Sequence, residues 1–181
     1  MSVKQQLLNI VQTKDPQRPD DWKQFMAEAC MIFRQKSTDY EDRFIKALMT
    51  MDAHTLWAWE VDKKLDRIRT WLKRGELQVK TEGIRNSVDD LFIYTVQYVA
   101  WNDTKEDERP KFLDRVQHNR SGFLYWHADT FKPKYWVDLL EEDGRIHKDE
   151  KLLKLILRQY MGDTIRTDEW QSAIRTMLKE I

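Results

Sequence analysis

The sequence predicts an all-α protein. Gly and Pro, which interrupt helices, number only 5 and 4 among 181 residues, whereas Lys, Glu, Leu, Arg and Met, which favour helices, are plentiful. Apolar residues recur three and four positions apart over long stretches, and no segment alternates as a β-strand does. With 41% hydrophobic and 12% aromatic residues, the chain can bury a core. Its length is typical of one domain, or of one domain with an appendage.

The first half of the chain predicts an N-terminal segment and three long helices. The segment, residues 1–21, ends in a cluster of Pro and Asp residues that separates it from the body. The periodicity then predicts helices over about 22–36, 51–74 and 81–101, with a polar stretch between the first two. Gly75 follows the second helix, as expected for a residue that ends a helix.

The second half is predicted to form a C-terminal helical extension packed on the core. The highly charged segment from Asn102 to Pro110 is the best linker candidate. It separates a predicted core at 22–104 from a predicted extension at 109–181. The extension's helices are predicted at these positions: 134–142, 148–161 and 168–179.

The segment 118–136 is rich in aromatic residues and is interrupted by Gly122 and Pro133. We expect it to be irregular or built from short helices. Its aromatic side chains have two interpretations. They either pack the C-terminal helices onto the bundle or stack, together with a basic residue, on a nucleobase.

Charged residues lie beside the core faces of the second and third helices. On the third helix, a polar stripe near the N-terminus contains Glu82, Asn86, Asp89 and Asp90. Further along the helix, the same line is apolar. On the second, Glu60, Lys64 and Arg67 run beside the core stripe, while Asp62, Asp66 and Arg69 occupy the expected solvent face. Buried charges need partners, a metal or a ligand.

Two interpretations of these charges are open. Neighbouring helices often join their acidic and basic side chains as boundary salt bridges, which need no further function. Alternatively, the carboxylates bind Mg²⁺, which prefers oxygen ligands and substrate phosphates, while Lys64, Arg67 and Arg85 neutralise the phosphates.

Three strings add a resemblance: Lys-Ser-Thr-Asp-Tyr at 36–40, Lys-Leu-Asp-Arg-Ile at 64–68, and Glu-Gly-Ile-Arg-Asn-Ser-Val-Asp-Asp-Leu-Phe-Ile-Tyr at 82–94. Over about residues 34–101 the chain resembles the nucleotide modification associated domain 1 family. That family is similar to the all-α MazG and dimeric dUTPase group of nucleoside triphosphate pyrophosphohydrolases. The resemblance implies a MazG-like core, Mg²⁺ as cofactor, a phage-type role in modified-nucleotide metabolism and DNA modification, and a homodimer.

The chain departs from the family pattern at three positions. Asn86 stands where the pattern has Asp. Glu41 stands where a Gly often follows the Asp-Tyr pair, and Lys63 stands where an acidic residue commonly precedes the Lys, which is Lys64 here. An Asn oxygen can bind Mg²⁺, but a lost carboxylate lowers the affinity. The sequence therefore supports a nucleotide-binding site better than an active hydrolase.

The resemblance assigns the candidate site residues. The leading catalytic and metal-binding residues are Glu82 and Asp90, supported by Asn86, Asp89 and Glu60. The candidate nucleotide-binding residues are Lys64, Arg67, Arg85, Asp39 and Tyr40. If the protein is an enzyme, water attacks a phosphoryl group that Mg²⁺ polarises. The alternative function is a non-catalytic phage-type interaction protein that sequesters a host factor or a nucleotide signal.

Several other classes of function are disfavoured. With 31 basic and 31 acidic residues, the chain lacks the basic surplus of proteins that bind nucleic acid by bulk electrostatics. A single Cys30 excludes an internal disulfide and a multi-cysteine zinc site. No glycine-rich phosphate loop or paired-histidine zinc motif is present. The sequence has no long apolar run and no signal peptide, so we expect a cytoplasmic protein, in the host cell if phage-encoded, with no membrane partner.

Overall fold

The computed structural model describes residues 22–74, 84–131 and 133–160, except for the side chains of residues 22–24, 74, 84–85, 131, 133–135 and 159–160. Within these ranges the chain is helical, and it contains no β-strand. The prediction of an all-α fold is confirmed. No helix in the described ranges is long and apolar enough to cross a membrane.

The described residues form eight α-helices and one 3-10 helix. In chain order they are α1 (Trp22–Asp39), α2 (Arg43–Thr50), α3 (Ala53–Arg74), α4 (Ile84–Asp103), a 3-10 helix (Glu106–Lys111), α5 (Phe112–His118), α6 (Arg120–Phe131), α7 (Pro133–Glu142) and α8 (Lys151–Tyr160). The three long helices of the first half lie where the periodicity predicts them, whereas α2 was not predicted. The segment 1–21, Gly75, the predicted start of the third helix and the predicted helix 168–179 lie outside the described residues.

Side-chain caps explain where two helices begin. The Asp52 carboxylate accepts hydrogen bonds from the backbone N–H of Thr55 (3.0 Å) and from its hydroxyl (2.6 Å), so α3 starts directly after Asp52. The Asn119 side-chain oxygen accepts from the N–H of Gly122 (3.0 Å) at the start of α6. A Cβ at Gly122 would lie 2.5 Å from the Asn119 amide nitrogen. Gly122 therefore accommodates this cap inside the helix rather than interrupting it.

Helix α4 lies at the centre of the fold. It packs against α3 along much of its length and also contacts α1, α2, α6 and α8. Its side chains are buried on several sides, as the apolar pattern predicts: Val88, Leu91, Phe92, Val96 and Ala100. Leu124 of α6 and Trp136 of α7 belong to the same core. The C-terminal helices therefore share the core of the first half.

The expected solvent face of α3 is partly covered. Arg69 donates two hydrogen bonds to the Glu150 carboxylate, both at 2.9 Å, and one to the backbone oxygen of Arg145 (2.7 Å). Arg145 in turn donates to Asp62 (2.8 Å). The turn between α7 and α8 lies against α3 here, so Arg69 is partly covered (24% exposed), whereas the Asp62 side chain stays 43% exposed.

Candidate functional site

A pocket of about 570 Å³ lies between the C-terminal end of α1, helix α2, the first half of α3 and the first two thirds of α4. Its lining contains charged, amide and aromatic side chains, among them Lys36, Arg43, Phe44, Glu60, Lys64, Asn86, Asp90 and Tyr94. Ligand pockets commonly have volumes of about 300–1,000 Å³. The cavity can therefore hold a nucleotide-sized molecule.

Two lysines from different helices meet one carboxylate in this pocket. The Lys36 ammonium of α1 lies 2.6 Å from Asp90 Oδ1, and the Lys64 ammonium of α3 lies 3.0 Å from Asp90 Oδ2. Lys36 also donates to the Asn86 side-chain oxygen at 3.4 Å. Because Asn86 and Asp90 are four residues apart on α4, they project from the same face of that helix. The Asp90 side chain is only 9% exposed, so it is a largely buried acceptor between two cations.

Aromatic side chains form another part of the lining. Tyr94 follows Asp90 by one helical turn, and its ring lies 4.6 Å from that of Phe44 on α2. Burial raises the pKa of the Tyr94 hydroxyl above its usual value, and the negative charges of Glu60 and Asp90 raise that pKa further. The hydroxyl therefore stays protonated at neutral pH and can donate a hydrogen bond.

The turn between α1 and α2 positions Arg43 and Phe44. Glu41 and Asp42 both have left-handed backbone, with φ of 54° and 55°, so these two residues interrupt the helical path between α1 and α2. The buried Asp42 carboxylate accepts two hydrogen bonds from Arg120 (3.0 and 2.7 Å) and one from Gln117 (3.0 Å). These contacts hold the turn against the junction of α5 and α6.

Those hydrogen bonds also set the ionisation of Asp42. Burial by itself would raise the pKa of its carboxyl, but the hydrogen bonds from Arg120 and Gln117, with the charges of Arg120 and Lys46, lower the pKa below its usual value. Asp42 is therefore a charged structural anchor beside the pocket.

The structure brings five of the sequence-predicted site residues to the pocket: Tyr40, Glu60, Lys64, Asn86 and Asp90. Tyr40 is 69% exposed and lines the pocket without being enclosed by it. Among the described residues, the lining does not include Asp39, Arg67 or Asp89. Asp89 is buried, and Asp39 is exposed on the last turn of α1. Glu82 and the side chain of Arg85 lie outside the described residues.

The described residues do not fit a Mg²⁺ site. They contain no group of three or more His, Cys, Asp or Glu side chains placed to hold a metal ion. Both Asp90 oxygens are occupied by lysine ammonium groups, which a metal would have to displace. We therefore derive no step that depends on a metal, and the Mg²⁺ assignment of Glu82, Asn86, Asp89, Asp90 and Glu60 stays a prediction.

Sequence reasoning missed Lys36, Arg43, Phe44 and Tyr94 as members of the site. The first lies in the Lys-Ser-Thr-Asp-Tyr string, where Asp39 and Tyr40 were chosen in its place. A signal for Lys36 existed, because it lies four residues before Tyr40, which directly follows α1 and whose backbone N–H donates to the Lys36 oxygen at 2.9 Å. Arg43 and Phe44 had no such signal, because α2 was not predicted.

The aromatic segment 118–136 does not contribute to this pocket through its described side chains. Phe123 packs against Phe33 and Phe112, and Trp136 is buried against Phe92. Trp126, in contrast, is 63% exposed. Tyr125 is also exposed, so two of the four described aromatic side chains, Phe123 and Trp136, follow the packing interpretation.

A second cavity, of about 610 Å³, is a groove beside α3. Its charged side chains largely pair within the chain: Arg69 with Glu150, and Arg145 with Asp62. These pairs hold the α7–α8 turn against α3. The pocket around Asp90 differs because two cations share one carboxylate there.

These observations define an all-α protein with a charged and aromatic pocket between helices. Comparison with protein-family models, with curated proteins and with solved structures found no match.

Proposed function

We propose that the pocket around Asp90 binds a nucleotide. The observation that carries the proposal is the convergence of Lys36 and Lys64, from α1 and α3, on the single carboxylate of Asp90 in a pocket with an aromatic wall. The phosphate of the ligand contacts the two ammonium groups, and its base lies towards Phe44 and Tyr94.

The chemistry of the lysines supports a phosphate ligand. An ammonium group has three N–H donors, and the contacts to Asp90 and Asn86 occupy some of those of Lys36. The Lys36 and Lys64 side chains are 43% and 23% exposed, so an incoming anion can reach both. Hydrogen bonds between ammonium and phosphate are charge-assisted and stronger than neutral ones.

The aromatic part of the lining supports a nucleobase. A π face accepts any base by stacking, and a few polar groups then fix its orientation. Tyr94 offers a hydroxyl donor, and the buried side chain of Gln97 also lines the pocket. Apolar and polar contacts of this kind suit a planar heterocycle better than a simple sugar phosphate.

The proposal is binding, without a catalytic step. The described residues do not fit a metal site, and a (d)NTP pyrophosphohydrolase activity rests on the family resemblance, as does a phage-type role in modified-nucleotide metabolism. Non-catalytic sequestration of a nucleotide signal, the alternative function, uses the same pocket and needs no metal.

Isothermal titration of the pure protein with purine and pyrimidine nucleotides tests the proposal. Lys64→Ala should weaken nucleotide binding by about 10- to 100-fold, because a hydrogen bond to a charged group contributes ~1.5–3 kcal/mol. Lys73→Ala is the matched control, since Lys73 is an exposed lysine on the same helix and does not line the pocket. Deoxyribose 5-phosphate, which lacks the base, should bind more weakly than the complete nucleotide.

Two results would contradict nucleotide binding at this site. One is the absence of heat and of thermal stabilisation with every nucleotide. The other is an equal loss of affinity in the Lys64 and Lys73 variants, which would place the ligand elsewhere or reduce the effect to net charge.

The second candidate function is binding to a protein, either a partner or a second copy of the chain. It is favoured by Tyr125 and Trp126, neighbouring side chains of α6 that are 52% and 63% exposed. Light scattering of the pure chain tests the homodimer. A dimer that Trp126→Ala converts to a monomer would place the interface at α6, whereas a wild-type monomer would contradict the homodimer.

A further inference from the structure

We infer that the pocket selects a ligand with two negative charges, a nucleoside monophosphate, and that Asp90 sets this selectivity by cancelling one of the pocket's positive charges. The inference rests on the proposed function and adds the charge class of its ligand.

The charged groups of the pocket give the first step. Among the residues that the structure describes, three cations line it, Lys36, Arg43 and Lys64, together with three carboxylates, Asp42, Glu60 and Asp90. If every charge counted equally, the pocket would be neutral and would not favour an anion.

Two of the carboxylates, however, have cationic partners that are not among the described lining residues. Asp42 pairs with Arg120 at 2.7 Å, and Glu60 pairs with Lys63 at 3.1 Å. Each such pair contributes little net charge to the cavity. Of the described lining charges, three cations and the carboxylate of Asp90 remain, which leaves two positive charges for a ligand.

A terminal phosphate matches this remainder. A phosphate monoester carries about −1.5 to −2 charges at pH 7, so it neutralises the pocket. Each further phosphate adds negative charge for which the pocket has no cation, unless a metal accompanies it. The preferred ligand is therefore a monophosphate without a metal, ahead of a diphosphate or a triphosphate of the same nucleoside.

Asp90 is the group that fixes this limit. Its carboxylate lies between the two ammonium groups that meet the phosphate, at 2.6 and 3.0 Å. An Asn in its place has the same shape but leaves three positive charges, which favours a more highly charged ligand. In the alternative role, as a Mg²⁺ ligand, the same substitution would remove binding of a Mg²⁺–triphosphate.

The test is a titration of the full chain, wild type and Asp90→Asn, with the mono-, di- and triphosphate of one nucleoside, in EDTA and in Mg²⁺. Wild type should bind the monophosphate most tightly, equally well in EDTA. In Asp90→Asn, the affinity ratio of diphosphate to monophosphate should rise by about tenfold, as one added charge within the pocket predicts.

Glu60→Gln is the second variant, because Asp90→Asn could alter the fold by leaving Lys36 and Lys64 without their carboxylate. Glu60 pairs with the exposed Lys63 of its own helix at 3.1 Å. Its removal adds one positive charge to the region and should raise the same ratio, by a smaller factor because solvent screens this pair.

The outcomes separate the two proposals. Tightest binding of a triphosphate that requires Mg²⁺ and is lost in Asp90→Asn would overturn this inference and leave the nucleotide site standing. A monophosphate preference that neither variant changes would also overturn the role of Asp90. If no nucleotide binds to wild type or to either variant, the proposed function itself fails.

Discussion

The Asp42–Arg120 ion pair offers a direct test of how the pocket is supported, through the substitution Asp42→Asn. Asn has nearly the shape of Asp and also tolerates positive φ, so the backbone conformation at φ 55° is preserved. The substitution removes the negative charge and one of the two acceptor oxygens. Its effect on stability therefore reports the ion pair rather than the turn.

The expected magnitude follows from the contacts. Asp42 has a side chain that is 1% exposed, and two of its three hydrogen bonds come from the Arg120 guanidinium. Removing one partner of a buried ion pair costs about 3–5 kcal/mol. The Arg120 side chain is 22% exposed, so water compensates part of this loss, and Asn retains one acceptor. We expect a decrease of about 2 kcal/mol in the free energy of unfolding.

Urea denaturation at pH 7, followed by tryptophan fluorescence, measures this quantity. At ~2–4 °C per kcal/mol for a chain of this size, the melting temperature should fall by about 4–8 °C. Asp39→Asn is the matched control, because Asp39 is an exposed carboxylate in the same region. It should change stability by less than about 0.5 kcal/mol.

The pH dependence supplies an independent check. The folded pKa of Asp42 is depressed, so its contribution is fully present above the unfolded pKa of about 3.9 and is lost as the pH falls through the lower folded pKa. The difference between wild type and Asp42→Asn should therefore be constant near neutral pH and shrink at acidic pH. An Asp42→Asn protein as stable as wild type at pH 7, or a difference that does not change with acid, would refute the reasoning.

Three further substitutions test single contacts by urea denaturation. Glu41→Gly should raise the free energy of unfolding by about 0.5–1 kcal/mol, because Glu41 has φ 54° and Gly adopts this conformation without a Cβ penalty. Glu41→Ala should give no such gain, and an equal gain in the Ala variant would contradict the backbone explanation. Thr95→Val should lower the free energy of unfolding by about 1–3 kcal/mol. The buried indole N–H of Trp57 donates to the Thr95 hydroxyl at 3.1 Å, and Val removes this acceptor. An unchanged urea midpoint would show that this hydrogen bond contributes nothing. Gly144→Ala should lower the free energy of unfolding by about 1 kcal/mol. The loss comes from the backbone alone, because Gly144 has φ 78° and an added Cβ would meet no atom within 4 Å. A loss above about 3 kcal/mol would contradict a purely backbone effect.

Local sequence patterns predict the helices well here because helix formation depends on residues three and four positions apart. The long helices α3 and α4 carry sustained apolar stripes, and the sequence placed both. Helix α2 has eight residues and follows a polar stretch, so it offered too short a pattern. Its start depends on two consecutive residues with left-handed backbone, Glu41 and Asp42. Local propensity does not predict this conformation for a Glu.

The candidate site was predicted in part for the same reason. Asn86 and Asp90 lie at i and i+4 on α4, and this spacing alone places them on one face. Tyr94, one turn further on, shares that face but was not predicted as a site residue. Asp89, one position from Asp90, points about 100° away, and in the structure it is buried outside the pocket lining. Periodicity gives the direction of a side chain from its own helix, but it does not identify the neighbouring element.

The sequence by itself determined the all-α class, the positions of the long helices and the shared direction of Asn86 and Asp90 on α4. The tertiary structure decided which charges meet: Lys36 reaches Asp90 across 54 positions of the chain, and Arg120 reaches Asp42 across 78. Pairings over such separations depend on how helices cross and on how turns direct them, which local propensities do not encode. The physical reason is that a helix fixes the relative directions of its own side chains, whereas their partners are fixed by packing of the whole core.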